Sequence, residues 1–154
     1  MIKNDFYHGL NLIKGSFGFE NYIFAYQFLK MSFTYNKKYK LKSKKLIDQL
    51  FSEGKSVAAF PLRMVYLKLN SESTTYKVGV SVSKRNFRKA VDRNRIKRLL
   101  REAYRINQKQ MFNNSSSSYA LMILYIGKDI PDYKSVESRM KQLLNKFGKS
   151  EFPN

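Results

Sequence analysis

The sequence lacks the residues on which covalent cross-links and many catalytic sites depend. Its 154 residues include no cysteine and a single histidine, His8. The absence of cysteine excludes disulfides, thiolate zinc sites and a cysteine nucleophile. A histidine metal site or a Ser-His-Asp triad would have to use His8, because both patterns need a histidine. We therefore expect no catalytic side chain and no protein-bound metal.

Acidic residues are also scarce. The chain has 11 Asp and Glu against 30 Lys and Arg, which gives a formal net charge of +19. The acids are scattered, and neither a carboxylate cluster for two-metal chemistry nor a glycine-rich phosphate loop is present. Such an imbalance destabilises a compact chain by self-repulsion unless a polyanion binds to it. Nucleic acid is the expected partner, and an anionic membrane surface is the alternative.

Long hydrophobic runs are missing as well. A membrane-spanning helix needs about 18 apolar residues or more, whereas the best run, at 22–29, is short and contains Gln27. Its flanks do not match those of a secretory signal. We expect no membrane partner and a cytoplasmic location, with a real core because hydrophobic residues make up 43% of the chain.

The ends of the chain differ from its middle. We predict a weakly ordered N-terminal extension over residues 1–35, a folded domain over 36–148 and a tail over 149–154. Met31 leaves a second interpretation open, in which it is the initiator and residues 1–30 lie upstream of the natural start.

Between these ends, apolar periodicity predicts six elements in the order α-β-β-α-β-α. Ser43 caps a short helix that ends near Ser52, and Gly54 is its expected stop residue. Alternating segments over 61–69 and 75–82 predict an antiparallel hairpin. A basic helix over about 89–111, a buried strand over 119–126 and a helix over 133–147 follow. This order indicates an α+β sandwich, with helices packed on a small sheet.

The most basic part of the chain runs from Lys84 to Arg105, where 22 residues hold ten Lys or Arg and two acids. Helical spacing predicts a core stripe and an opposite cationic face. A solvated helix face is the alternative, but such faces usually mix charges of both signs. Arginine forks and the helix N-terminus both suit phosphate. The predicted core stripe is Ile96, Leu99, Leu100, Ala103 and Ile106; the residues predicted to bind nucleic acid are Lys84, Arg85, Arg88, Lys89, Arg93, Asn94, Arg95, Lys97, Arg98 and Arg101.

Residues 80–102 also resemble a known family. The series VSVSKR, AV, RNR, KR and RE, which begins at Val80 and ends at Glu102, is similar to the signature of the bacterial ribonuclease P protein subunit. The resemblance extends from near Tyr35 to the last predicted helix, and residues 41–56 match the family's opening helix. It implies a ribosomal protein S5 domain 2-like sandwich with a βαβ crossover of unusual left hand at the basic helix.

The resemblance further implies a function, which is 5′ maturation of precursor tRNA by endonucleolytic removal of the leader. In this family the catalytic component is an RNA, which binds the Mg²⁺ that activates water. The protein would bind that RNA through the basic residues above, and Phe51 and Tyr66 would line a cleft for the single-stranded leader. From composition alone both aromatics are more typical of a core, although an exposed ring can stack on bases.

The chain departs from the family pattern at two places. Ile47 stands where the family often has an aromatic residue, and the loop at 86–89 is longer and has Phe87 and Arg88 in place of the usual glycine. A non-catalytic RNA-binding protein of the same fold, such as a ribosomal protein or RNA chaperone, is the alternative function. A DNA-binding basic helix is disfavoured, because the helix has a core stripe and no dimer zipper is visible.

Overall fold

The computed structural model of the protein describes residues 39–71, 75–108 and 117–152. The predicted extension over 1–35 lies outside these residues and stays a prediction. The described part contains three helices and four strands. Within it, no helix has the length and apolar character needed to cross a bilayer. The elements are α1 (Lys44–Glu53), β1 (Lys55–Ala59), β2 (Leu62–Leu69), β3 (Tyr76–Val82), α2 (Ala90–Asn107), β4 (Ser118–Tyr125) and α3 (Tyr133–Glu151).

The strands form one mixed sheet in the order β1-β2-β4-β3. β1 and β2 are antiparallel, β2 and β4 are antiparallel, and β3 and β4 are parallel. The predicted hairpin between 61–69 and 75–82 is therefore wrong, because β4 lies between these two strands. The predicted βαβ crossover at the basic helix is present as β3-α2-β4, and its hand stays a prediction.

β1 was not predicted, and its burial explains why. Of its five residues only Ala59 is buried, so the strand shows no alternation of apolar and polar residues. It pairs with β2 through the tight turn at Phe60-Pro61, with Ala59 opposite Leu62. β1 is thus held by its backbone ladder more than by its side chains.

The two faces of the sheet have separate cores. One face packs against α2 and α3 through the main cluster, which includes Leu62, Met64 and Tyr66 from β2. The other face packs against α1 through a smaller cluster: Leu41, Leu50, Val65, Ala120 and Met122. β4 contributes to both clusters. Its sequence is therefore a continuous apolar run, as expected for a strand covered on both sides.

The first helix begins and ends where the sequence predicted. The Ser43 side chain accepts a hydrogen bond from the Leu46 amide at 3.4 Å, and Leu50 is fully buried. Gly54 follows the last helical residue with φ −71°, so a left-handed cap is not the reason for glycine here. A Cβ at this position would lie 2.2 Å from the Leu50 carbonyl oxygen. Close backbone approach explains this glycine.

The core stripe of α2 differs from the prediction at one residue. Ile96, Leu100 and Ala103 are fully buried, but Ile106 is 45% exposed. At 100° per residue, Ile106 lies about 80° from Ile96 on the side away from Leu100. The helix instead buries Tyr104 and Asn107.

The last helix is longer than predicted. It continues through residues 149–151, which were predicted to belong to a tail. The Tyr119 hydroxyl donates to Glu151 Oε2 at 3.0 Å, and the Tyr119 and Phe152 rings are 6.1 Å apart. These contacts attach the final turn to the main core.

Candidate nucleic-acid interface

The exposed side of α2 carries the predicted cationic face. Asn94, Arg95 and Arg98 are exposed, while Lys97 and Arg101 are half-buried at the border of the core stripe. Within the described part of the chain, none of these four cations forms an ion pair with a carboxylate. Their charges are therefore available to an anionic partner, as the sequence predicted for a phosphate-binding helix face.

Arg105, in the last turn of α2, is already paired. Its Nε and Nη2 donate to the two carboxylate oxygens of Glu102 at 2.9 and 2.6 Å. These hydrogen bonds lower the pKa of the Glu102 carboxyl and raise the pKa of the Arg105 guanidinium. Both groups stay ionised and their opposite charges largely cancel. The pair therefore attracts a phosphate less strongly than Arg98 does.

The loop that leads into α2 presents further cations from an anchored backbone. Lys84, Arg85, Arg88 and Lys89 are exposed, whereas Phe87 is 6% exposed and lies 5.9 Å from the Tyr125 ring. Phe87, one of the residues at which this chain departs from the family pattern, thus anchors the loop in the core.

Two polar side chains fasten the same loop. Asn86 Nδ2 donates to the carbonyls of Ile126 and Gly127 at 3.4 and 3.0 Å. Arg93 Nη1 donates to the carbonyls of Phe87 and Arg88 at 2.9 and 2.6 Å. Arg93 was predicted to bind RNA, but its guanidinium faces the loop backbone. The backbone that carries the loop's cations is consequently held by contacts within the chain.

A groove lies on the opposite face of the sheet, between α1 and the edge strand β3. The segment before α1 covers part of this edge, since the Leu41 amide donates to the Val78 carbonyl at 3.0 Å. Beyond that contact the groove opens, with Arg101 reaching it from α2. Gly79 allows the Met122 side chain to pack closely against β3 in the groove, because a Cβ at Gly79 would lie 2.9 Å from the Met122 methyl group. The groove is lined by Lys40, Leu41, Lys42, Ile47, Gly79, Val80, Ser81, Arg101 and Met122.

This groove combines the properties that suit a single nucleic-acid strand. Lys40, Lys42 and Arg101 supply positive charge along it, and Ile47 supplies an apolar wall. Phe51 lies one helical turn after Ile47, on the same side of α1, and is 52% exposed. Cations that follow a backbone, together with an exposed aromatic ring, are typical of single-strand binding surfaces.

Tyr66 does not share this surface with Phe51. It is 3% exposed and faces α3, where its ring meets Phe147 edge-on at 4.9 Å. Its hydroxyl shares a 2.9 Å hydrogen bond with Ser150. Its neighbour Val65 faces α1 instead, because successive residues of a strand point to opposite faces. The expectation that Phe51 and Tyr66 line one cleft is therefore wrong, and Tyr66 is a core residue.

Sequence reasoning did not place Lys40 and Lys42 at the groove. Both belong to a basic run before α1, which was visible in the sequence but had no predicted surface. Their place in the groove depends on the pairing of Lys40 with Val78 of β3. That pairing joins residues far apart in the chain, so no local pattern could have revealed it.

The described residues offer little to a metal ion. No three His, Cys, Asp or Glu side chains among them lie close enough together to hold one. Asp132 caps α3, since its side chain accepts from the Ser135 amide at 2.7 Å. What this part of the molecule presents is positive charge, hydrogen-bond donors and exposed rings.

Comparison with known proteins identifies relatives of this chain. The family model described as Ribonuclease P matches residues 35–148. The ribonuclease P protein component of Porphyromonas gingivalis is 40% identical over 103 residues, which cover 64% of this chain and 74% of that protein. The corresponding protein of Chlorobium phaeobacteroides is 34% identical over 125 residues, which cover 72% of this chain and 86% of that protein.

Solved structures show the same fold. The RNase P protein of Staphylococcus aureus superposes with a TM-score of 0.55 at 21% identity, over 72% of this chain and 96% of that one. The RNase P protein of Thermotoga maritima gives 0.56 at 21% identity, over 70% of this chain and 96% of that one. The mixed sheet with its three helices is thus the fold predicted from the sequence.

Proposed function

Because this chain belongs to the ribonuclease P protein family, we propose that its two cationic surfaces bind two different RNAs. The protein is a subunit of ribonuclease P, the enzyme that removes the 5′ leader from precursor tRNA. The α2 face and the loop 84–89 would bind the RNA subunit. The groove beside α1 would hold the single-stranded leader of the substrate. A cytoplasmic location belongs to the same proposal.

The observation that carries this proposal is the division of positive charge between the two sides of the sheet. Arg95 and Arg98 project from a rigid helix without internal ion pairs in the described residues, which suits the phosphates of a structured RNA. Lys40 and Lys42 line a groove with Phe51 beside it, which suits an unpaired strand. Arg101 borders both surfaces, so the two RNAs would lie next to each other.

Catalysis would come from the RNA subunit in this proposal. The described residues provide charge and hydrogen-bond donors, and no three of their His, Cys, Asp or Glu side chains lie close enough together to hold a metal ion. Mg²⁺ would be held by the RNA and would activate the attacking water. The chain's own contribution would be to neutralise phosphate repulsion and to position the leader, which strengthens substrate and metal binding together.

A reconstitution experiment tests the function. Precursor tRNA is incubated with the RNA subunit from the same organism at low Mg²⁺, with and without the protein. We expect the protein to raise the cleavage rate, because its cations replace part of the magnesium needed for screening. A basic protein of unrelated fold at equal concentration is the control for nonspecific charge. RNA binding without any rise in cleavage would instead favour a non-catalytic RNA-binding role.

A further inference from the structure

Three separate chain segments meet at one end of the sheet. The Ile126 amide, just after β4, donates to the Pro61 carbonyl of the β1-β2 turn at 2.9 Å. On its other side, the Ile126 carbonyl accepts from Asn86 Nδ2 at 3.4 Å. The turn and the basic loop are therefore bonded to the same residue. Two strand spacings separate them, which is about 10 Å.

Phe60 stands at the tip of that turn with 70% of its surface exposed, the second highest exposure among the large hydrophobic residues described. An isolated exposed hydrophobic residue is common and by itself indicates nothing. Here, however, the neighbouring loop carries Lys84, Arg85 and Arg88, all exposed and none in an ion pair within the described part of the chain. An exposed ring beside several free cations has the chemistry of a nucleic-acid contact.

The distances suit one RNA strand. Successive phosphates of a strand rise about 3.4 Å along a duplex axis, so about 10 Å corresponds to roughly three stacked nucleotides. A strand whose phosphates lie on the loop would pass the Phe60 ring within that length. Because Phe87, Asn86 and Arg93 anchor the loop, the ring and the cations are presented together.

We propose that Phe60 stacks on an unpaired base of the RNA subunit next to the phosphates held by the loop 84–89, a role that rests on the proposed function. A second copy of this chain is a poor occupant, because two chains of net charge +19 repel each other. The loop after β4 has Lys128 against Asp129 and Asp132, a net charge of −1, which the four cations of the loop 84–89 outweigh, so this end of the molecule stays positive. The RNA subunit is preferred to the substrate because the loop continues into the cationic face of α2.

The test measures the affinity of the RNA subunit for the full-length protein and for Phe60→Ala, Phe60→Leu and Phe60→Tyr. Loss of one stacked base corresponds to about 5–150-fold weaker binding. We expect that loss for Phe60→Ala and Phe60→Leu, since leucine keeps apolar area but has no π face. Phe60→Tyr should remain within about 3-fold of wild type. Melting temperatures should not change, because the side chain is exposed.

Ile130→Ala is the matched control, since Ile130 is an exposed hydrophobic residue in the loop after β4 and has no π face. We expect it to leave affinity for the RNA subunit unchanged. Equal binding by wild type and Phe60→Ala would refute the stacking role, and full binding by Phe60→Leu would reduce it to an apolar contact. If Phe60→Ala weakens only the binding of precursor tRNA, or only self-association, then Phe60 does not contact the RNA subunit.

The wild-type protein separates this inference from the proposed function. If wild type binds the RNA subunit and raises cleavage while Phe60→Ala behaves identically, only the role of Phe60 fails. If wild type does not bind the RNA subunit, the proposed function itself fails and the role of Phe60 fails with it.

Discussion

Arg93 should act by holding the basic loop in position, which a change that keeps its positive charge can test. Its Nη1 donates to the carbonyls of Phe87 and Arg88 at 2.9 and 2.6 Å. Lysine keeps the charge, but its ammonium ends one atom short of the position of the arginine Nη1, so Arg93→Lys should not maintain this bracket of two hydrogen bonds. Arg98 lies on the exposed face of the same helix and is the matched control. The four variants are Arg93→Lys, Arg93→Ala, Arg98→Lys and Arg98→Ala.

The magnitude follows from the two hydrogen bonds. A hydrogen bond to a charged group contributes about 1.5–3 kcal/mol, but both bonds here use one nitrogen of a partly exposed side chain. We take about 1–3 kcal/mol for the bracket, which corresponds to about 5–150-fold in affinity if the loop must be reordered on binding. Arg93→Lys and Arg93→Ala should therefore weaken binding of the RNA subunit to a similar extent. Arg98→Lys should retain most of the affinity that Arg98→Ala loses.

Salt dependence separates the two roles. Each phosphate contact contributes about 0.7–0.9 to the slope of log affinity against log salt. Arg98→Ala should reduce the slope by about one contact, whereas Arg98→Lys should preserve it. Arg93→Lys should lower affinity at every salt concentration while its slope stays near that of wild type. Amide exchange gives a readout without RNA, because the Phe87 amide donates to the Ser83 carbonyl at 3.1 Å and should exchange faster in Arg93→Lys.

One outcome would refute this role for Arg93. If Arg93→Lys binds as tightly as wild type and Arg93→Ala loses one contact from the slope, Arg93 is an ordinary phosphate contact. Unchanged exchange at the Phe87 amide in Arg93→Lys would point the same way. The loop would then be held by Phe87 and Asn86 without help from the helix.

Three further predictions concern the groove, the end of α1 and the core. Phe51→Ala should weaken cleavage of precursors with long leaders by about 5–150-fold, the equivalent of one stacked base; an equal loss with a leaderless tRNA would make Phe51 structural. Gly54→Ala should lower the free energy of unfolding in urea by about 1–3 kcal/mol or more, because its Cβ would meet the Leu50 carbonyl at 2.2 Å. The matched change Gly148→Ala, in open space within α3, should raise it by about 0.5–1 kcal/mol; the same sign for both would contradict the contact. Burial raises the pKa of the Tyr119 hydroxyl, so its contribution to stability is complete below pH about 10 and is lost as the pH rises above that. Tyr119→Phe should lose less stability than wild type between pH about 9 and about 11, and an identical loss would exclude this tyrosine as the cause.

The helices could be predicted because their signals are local. Ser43 caps α1 through an amide three residues away, and Ile96, Leu100 and Ala103 recur at helical spacing on α2. The exception, Ile106, lies at the border of the stripe, where a rotation of a few tens of degrees decides between core and solvent. Periodicity gives the direction of a helix face but not its width.

The sheet order could not be predicted because it depends on pairing between distant segments. The alternation in β3 indicates which of its faces is buried but not which strand pairs with it. In the structure β4 occupies the place expected for β2. β1 could not be predicted from side-chain alternation, because only Ala59 of this strand is buried. Both features are determined by backbone ladders, which leave no trace in side-chain periodicity.

The candidate site divides in the same way. The cationic face of α2 follows from composition and helix geometry, so Arg95 and Arg98 lie where the sequence predicted them. Tyr66 was misplaced because both faces of β2 carry apolar residues, and hydropathy could not decide which one Tyr66 joins. Resemblance to a family supplied a role for that tyrosine, but only the fold supplies the face to which it points.

The basic segment from Lys84 to Arg105 therefore has more than one physical role. A run of like charges on a helix would repel itself and leave its leading loop mobile. Here Phe87 and Arg93 turn inward and fix the loop, while Glu102 neutralises Arg105 at the far end. Other cations of the segment form no ion pair within the described residues, and one of them, Arg101, also lines the groove. Preorganisation of this kind lowers the ordering cost of binding, so the affinity of the surface depends on the inward residues as much as on its charge.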